Sequence, residues 1–276
     1  MVSDPFLVGV FFGLVPAFGF LYILLHRYEG LFNEKRSFMA FFLGVGGGLV
    51  ATLLQLFLGP GAGRPTVFLP VYPLLFGLIN GLVLTLILRT KRYRGRPDTP
   101  FYGLAIGLGF GALNVLFLIG NAVRNLQTSA SDAIAEALLL SLLGLYYIGS
   151  ILVHAAAGAW IGRGIAKHNL LPDLGKAVVV EIVYLAGFFA LFSDVGSRLV
   201  PPVGLGLSIL LIKFVLERVL DDIIPPEIRR EMRVHQRRLA RGVMRQEPKP
   251  TETGPDEART SDPRDEAPRP PAPPST

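Results

Sequence analysis

Apolar runs of about 20 residues dominate this chain, and short charged clusters separate them. A run of that length is what an α-helix needs to cross a hydrocarbon core of roughly 30 Å. Among 276 residues only 17% are charged, against roughly 25% in a soluble domain. Most of those charges fall between the runs or beyond residue 212. In lipid, backbone groups must be satisfied within the segment, so such runs become helices. The expected fold class is all-α: a polytopic transmembrane helix bundle.

Seven spans are expected, at about 6–25, 37–58, 66–88, 101–123, 137–162, 177–193 and 199–220. The first stretch has no basic lead and ends at His26 and Arg27, so it reads as a membrane helix and not a leader. Basic residues between the spans set the orientation. The first loop carries Arg27, Lys35 and Arg36, the third Arg89, Lys91, Arg92, Arg94 and Arg96, and the fifth Arg163, Lys167 and Lys176. The second, fourth and sixth carry only Arg64, Arg124 and Arg198. By the positive-inside rule the N-terminus lies outside and the C-terminus inside. Near 131–166 the sequence leaves room for an external amphipathic turn before the fifth span.

Three regions follow. Residues 1–222 form the bundle. Residues 223–246 form a basic amphipathic helix whose Arg229, Arg230, Arg233, Arg237, Arg238 and Arg241 suit anionic headgroups or open water. Residues 247–276 form a Pro-rich tail that cannot bury a core. The net charge of +6 is accounted for by loop topology, so no nucleic-acid partner is expected. The expected partners are the lipid bilayer and other membrane proteins. High Arg beside low Lys, with no Cys, suits a prokaryotic plasma membrane.

Glycines recur at four-residue spacing in four spans. They are Gly44 and Gly48, then Gly77 and Gly81, then Gly103, Gly107 and Gly111, then Gly158 and Gly162. Small residues at this spacing let helix backbones approach closely in lipid. Polar groups share these faces. Asn114 follows Gly111, Asn80 lies between Gly77 and Gly81, and His154 leads into Gly158. His154 sits about 13 Å from the inner end of its span, too deep for an imidazole to reach the interface. It reads either as a neutral histidine bonded to a neighbouring helix or as a ligand. Asn80, Asn114, Asn121 and His154 could also line a polar path for a solute. Glu181 is expected to reach the inner headgroups or Lys176, and Lys213 is expected to pair with Glu217.

The order of these features resembles the PrsW family of intramembrane metalloproteases. "PAFGFLYILLHRYEGLFNEKRSFMAFFLGV" is similar to its opening helix and "RYE" turn. "VYPLLFGLINGLVL" is similar to its helix with a Glu-Glu pair followed by Lys, and "GLAIGLGFGALNVLF" to its Gly-Phe helix with a later glutamate. "ILVHAAAGAWIGRGIA" resembles its His helix. The resemblance covers residues 10–166. At the family's motif positions the chain departs. The Glu-Glu pair falls on Phe76 and Gly77, the Lys on Asn80, and the glutamate after Phe110 on Asn114. Only His154 is kept. A catalytic zinc normally takes three protein ligands plus an activated water. The resemblance therefore implies a non-catalytic relative that binds or sequesters membrane segments. No cofactor is expected. Zinc enters only if a divergent protease survives, with His154 and Glu181 as catalytic and metal-ligand candidates.

Overall fold

A computed structural model of the chain describes residues 5–58, 71–129, 133–191, 200–222 and 224. Those residues are helical with short connections. The helices are α1 (Pro5–Phe12), α2 (Leu14–His26), α3 (Glu34–Leu58), α4 (Val71–Leu88), α5 (Thr99–Ser129), α6 (Ala133–Ala166), α7 (Leu170–Leu191) and α8 (Val200–Phe214). A π-helical turn, Val215–Leu220, continues α8. Among the described residues, four stretches are long and apolar enough to cross a membrane: Gly9–His26, Glu34–Leu58, Val71–Leu88 and Ser141–Ala166. A shorter apolar stretch runs over Thr99–Val115.

Several expected boundaries shift for local reasons. The first run is broken at Gly13, because Pro16 has no N–H to offer the carbonyl of Phe12. The region 133–166 is one unbroken helix, so no separate turn precedes the fifth run there. α7 begins at Leu170, seven residues ahead of the expected 177, because the α6–α7 connection is a tight cap. In it His168 adopts φ 55° and the Asn169 N–H donates to the Gly164 carbonyl at 2.8 Å, a left-handed helix ending. Asn33 caps α3, its Oδ1 accepting from the Arg36 N–H at 3.0 Å, and Glu34 in the first turn complements the helix dipole. The basic helix at 223–246, with Arg229, Arg230, Arg233, Arg237, Arg238 and Arg241, and the tail at 247–276 lie outside the described residues, save Ile224.

α5 occupies the centre. From Phe101 to Ala112 it is buried at every position. Its glycines set that density, since a methyl group at Gly103 would collide with the Gly158 carbonyl, and one at Gly107 with the His154 carbonyl. On the other side, Gly44 meets the backbone of Ile106 and Gly48 that of Phe110. Gly162 meets Pro100. Gly77 and Gly81 admit Ile182 and Val178 of α7. With no hydrophobic driving force between helices in lipid, this backbone-to-backbone packing supplies the attraction.

The paired positions also give helix directions. Against α5, α3 is parallel (44 with 106, 48 with 110) and α6 antiparallel (103 with 158, 107 with 154). α4 and α7 are antiparallel (77 with 182, 81 with 178). The three basic loops meet at one end of the bundle, together with the end of α8. There Arg27 lies 3.7 Å from Asp221, Lys167 pairs with Asp222, and the Asn33 N–H donates to Tyr102 at 3.2 Å. The Tyr28 hydroxyl donates to the Leu216 carbonyl at 2.9 Å, inside the π-helical turn. Lys213 and Glu217 are both exposed, and no ion pair joins them among the described residues. The chain passes from α- to π-helix between them, which spoils the four-residue register such a pair needs.

Candidate functional site

Four helices contribute to one buried polar chain. It starts at Gln55 on α3, whose Nε2 donates to Asn80 Oδ1 on α4 at 2.8 Å. Asn80 Nδ2 donates to Glu181 Oε2 on α7 at 3.1 Å. Glu181 Oε1 lies 2.5 Å from His154 Nδ1 on α6. Asn80, Glu181 and His154 are each at most 1% exposed. A carboxylate taken out of water is tolerable only with such partners, and Glu181 has one for each oxygen.

Local sequence explains the convergence. Asn80 is flanked by Gly77 and Gly81, and both lie against α7, so the α7 backbone comes close enough for Glu181 to reach the amide. His154 sits over Gly107 and Gly111. A methyl group at Gly111 would lie 3.0 Å from His154 Cδ2, so glycine there makes room for the imidazole. The Phe110 ring meets His154 edge-on, with centroids 5.1 Å apart. Phe76 is buried beside Tyr72 and Leu185 and packs apolar surface.

Glu181 corrects an expectation. It reaches neither the headgroups nor Lys176, which pairs with Asp173 at 3.3 Å. The α6–α7 packing turns Glu181 inward onto His154. Asn114 is 2% exposed and faces the bundle interior, but its Oδ1 has no partner among the described residues. It does not join the chain of hydrogen bonds. Asn121 has no described side chain. His154 Nε2 and Thr52 Oγ1 are likewise buried without a partner.

Those three atoms are close in register. In α3 and α5, Gly48 opposes Phe110, so Thr52 and Asn114 lie one turn further along each helix. Helical side chains lean toward the N-terminus of their own helix. α6 runs opposite to α5, so His154 leans toward the level of Gly111 while Asn114 leans back toward it. A carboxylate on one imidazole nitrogen leaves the other to face a ligand, the arrangement seen behind metal-bound histidines. The rest of a hydrolytic zinc site does not fit. Among the described residues no group of three His, Cys, Asp or Glu gathers, and Asn114 offers only an amide oxygen.

Gln55 and Thr52 escaped the sequence reading. Their signal was present, because Gly44, Gly48, Thr52 and Gln55 form one stripe at spacings of four, four and three. Gly109 also escaped it, and a methyl group there would collide with the Phe41 carbonyl. An apolar furrow of about 410 Å³ lies beside the site, between α7 and α8. Val153 of α6 lies in it, and Val179, Val183, Val203 and Leu207 line it. At one end Tyr146 and Tyr184 each donate a hydroxyl to the other's backbone carbonyl, their rings stacked 4.5 Å apart.

No protein-family model, no curated protein and no solved structure matches this chain.

Proposed function

We propose that this chain is an integral membrane protein, similar to PrsW metalloproteases in the order of its helices, that holds membrane segments of other proteins without cutting them. One observation carries the reading. Gln55, Asn80, Glu181 and His154 Nδ1 form one hydrogen-bonded chain, and Glu181 spends both oxygens on His154 and Asn80. Among the described residues no further carboxylate stands at this site to activate a water or complete a metal centre. The furrow between α7 and α8 supports the reading as a seat for a partner helix, since it is apolar and lined by Val153 and Val180, the immediate neighbours of His154 and Glu181. The same reading takes seven spans, an external N-terminus and a prokaryotic plasma membrane.

Elemental analysis of detergent-purified protein, wild type beside His154→Ala, tests it first. The expected result is no zinc above the background of the variant. One equivalent of zinc, lost in His154→Ala, would overturn the non-catalytic reading and turn the search to proteolysis. A second arm measures energy transfer between labelled protein and synthetic single-span peptides in bicelles. Saturable transfer, weakened by Val183→Trp in the furrow, is the expected outcome; non-saturating transfer that Val183→Trp leaves unchanged removes the furrow as a docking place.

A further inference from the structure

A second cavity, of about 320 Å³, lies between the end of α2 and the start of α3, remote from the His154 site. Its walls are aromatic. Phe18 and Phe38 lie with ring centroids 6.2 Å apart, and Tyr22 stacks on His26 at 5.2 Å. Its mouth is acidic, with Glu29 and Glu34 lining it, and Glu29 holds His26 Nδ1 at 2.5 Å. Ser37 also lines the cavity. It is 3% exposed, and its hydroxyl has no partner among the described residues.

This combination asks for an amphiphile. Aromatic walls accept hydrocarbon, and Tyr and Trp rings favour the level where chains meet headgroups. Two carboxylates at the mouth ask for a cation with N–H donors. A buried, unpartnered hydroxyl asks for an oxygen to bond, since burying a polar group without a partner is costly. Arg27, Lys35 and Arg36 are the sequence neighbours of the lining residues His26, Glu34 and Ser37, and they bring cations to this segment. We infer that the cavity between α2 and α3 binds a phospholipid with a primary ammonium headgroup. The ammonium lies between Glu29 and Glu34, a chain lies along Phe18 and Phe38, and a glycerol or ester oxygen meets Ser37. A choline headgroup has no N–H to donate, and a glycerol headgroup brings no cation.

The test is native mass spectrometry of the full chain, released from bilayers of phosphatidylethanolamine, phosphatidylcholine and phosphatidylglycerol in equal parts with matched acyl chains. Retention of the ethanolamine lipid is expected to exceed that of each other lipid by about fivefold, what roughly 1 kcal/mol of differential binding gives. The Glu29→Gln/Glu34→Gln variant is expected to remove that preference. Both side chains are exposed, so the fold should survive, and helical content by circular dichroism checks it. Ser37→Ala is expected to weaken retention of all three lipids at this site. Equal retention of the three lipids by wild type, or a preference unchanged in the double variant, would overturn the inference. Zinc content and peptide binding at the other site are independent of this outcome.

Discussion

His154 Nδ1 lies 2.5 Å from Glu181 Oε1, and both side chains are at most 2% exposed, deep between α6 and α7. The two residues are 27 apart in sequence, and their contact ties α6 to α7 between the tight cap at His168 and the Tyr146–Tyr184 pair. Removing one partner strands the other. Glu181→Ala is expected to destabilise the bundle by about 3–5 kcal/mol, the usual cost of leaving half of a buried pair. Glu181→Gln keeps an acceptor for one neighbour and should cost less. The double variant Glu181→Leu/His154→Phe should be more stable than Glu181→Ala alone, because it replaces both polar partners with apolar groups that fill their space. Unfolding in mixed detergent micelles measures all three. Equal loss in the Leu/Phe pair and in Glu181→Ala would contradict a paired site.

The glycines divide into two classes with opposite expectations. At Gly103 and Gly107 a methyl group would run into the backbone of α6, which cannot yield without separating the helices. Gly103→Ala and Gly107→Ala should each lower stability by several kcal/mol and raise retention of detergent by the loosened bundle. Gly19 and Gly46 have nothing within 4 Å of such a methyl. There alanine should be neutral or stabilising by up to about 1 kcal/mol, through its better helix propensity. Thermal unfolding of the four variants gives the comparison.

The helical class and the glycine stripes were legible because length and spacing determine them directly. The apolar runs mark where the helices fall, although α5 and α6 extend beyond theirs, and the four-residue spacing puts Gly103, Gly107 and Gly111 on one face before any neighbour is known. Which helix lies against that face is tertiary information, and no periodicity carries it. Glu181 shows the limit. It is four residues inside its expected span, where a headgroup contact is reasonable, and only the approach of α6 and α4 through their glycines turns it inward. Gln55 shows a different miss. Its stripe with Gly48 and Thr52 was readable, but a lone amide beside the apolar end of a span reads as an edge residue. The break at Gly13 was readable too, from Pro16.

The absence of cysteine makes topology directly measurable, since a single introduced cysteine is the only thiol. The contact of Arg27 with Asp221 and of Lys167 with Asp222 places the first loop, the fifth loop and the end of α8 together. Lys35→Cys, Arg94→Cys and Lys176→Cys are therefore expected to react alike with a membrane-impermeant maleimide. In intact cells all three should be protected, and in inverted vesicles all three should label. Arg64→Cys should show the reverse. Split behaviour among the first three would contradict the shared end, and labelling of all three in intact cells would reverse the orientation.

Asp173 gives the bundle a dependence on acid. Burial pushes its carboxyl up, but Arg163, with donors at 2.8 and 2.5 Å, and Lys176 at 3.3 Å outweigh that and hold it below the usual carboxylate range. A group whose folded pKa is depressed stabilises the fold above its unfolded value, about 4 for aspartate. That contribution is complete at neutral pH and is lost as pH falls below about 4 and through the lowered folded value. Between pH 5 and 8 it should not change. The melting temperature of wild type in detergent should therefore stay level over that range, as far as Asp173 is concerned, and drop on further acidification. Asp173→Asn removes the titrating group while keeping oxygen for Arg163. It should lower the melting temperature at pH 7, because the charged partner of Arg163 is gone. It should also flatten the acid limb, so that the two proteins converge toward pH 2. A wild-type acid limb no steeper than that of Asp173→Asn would show that this pair does not hold the α6–α7 cap.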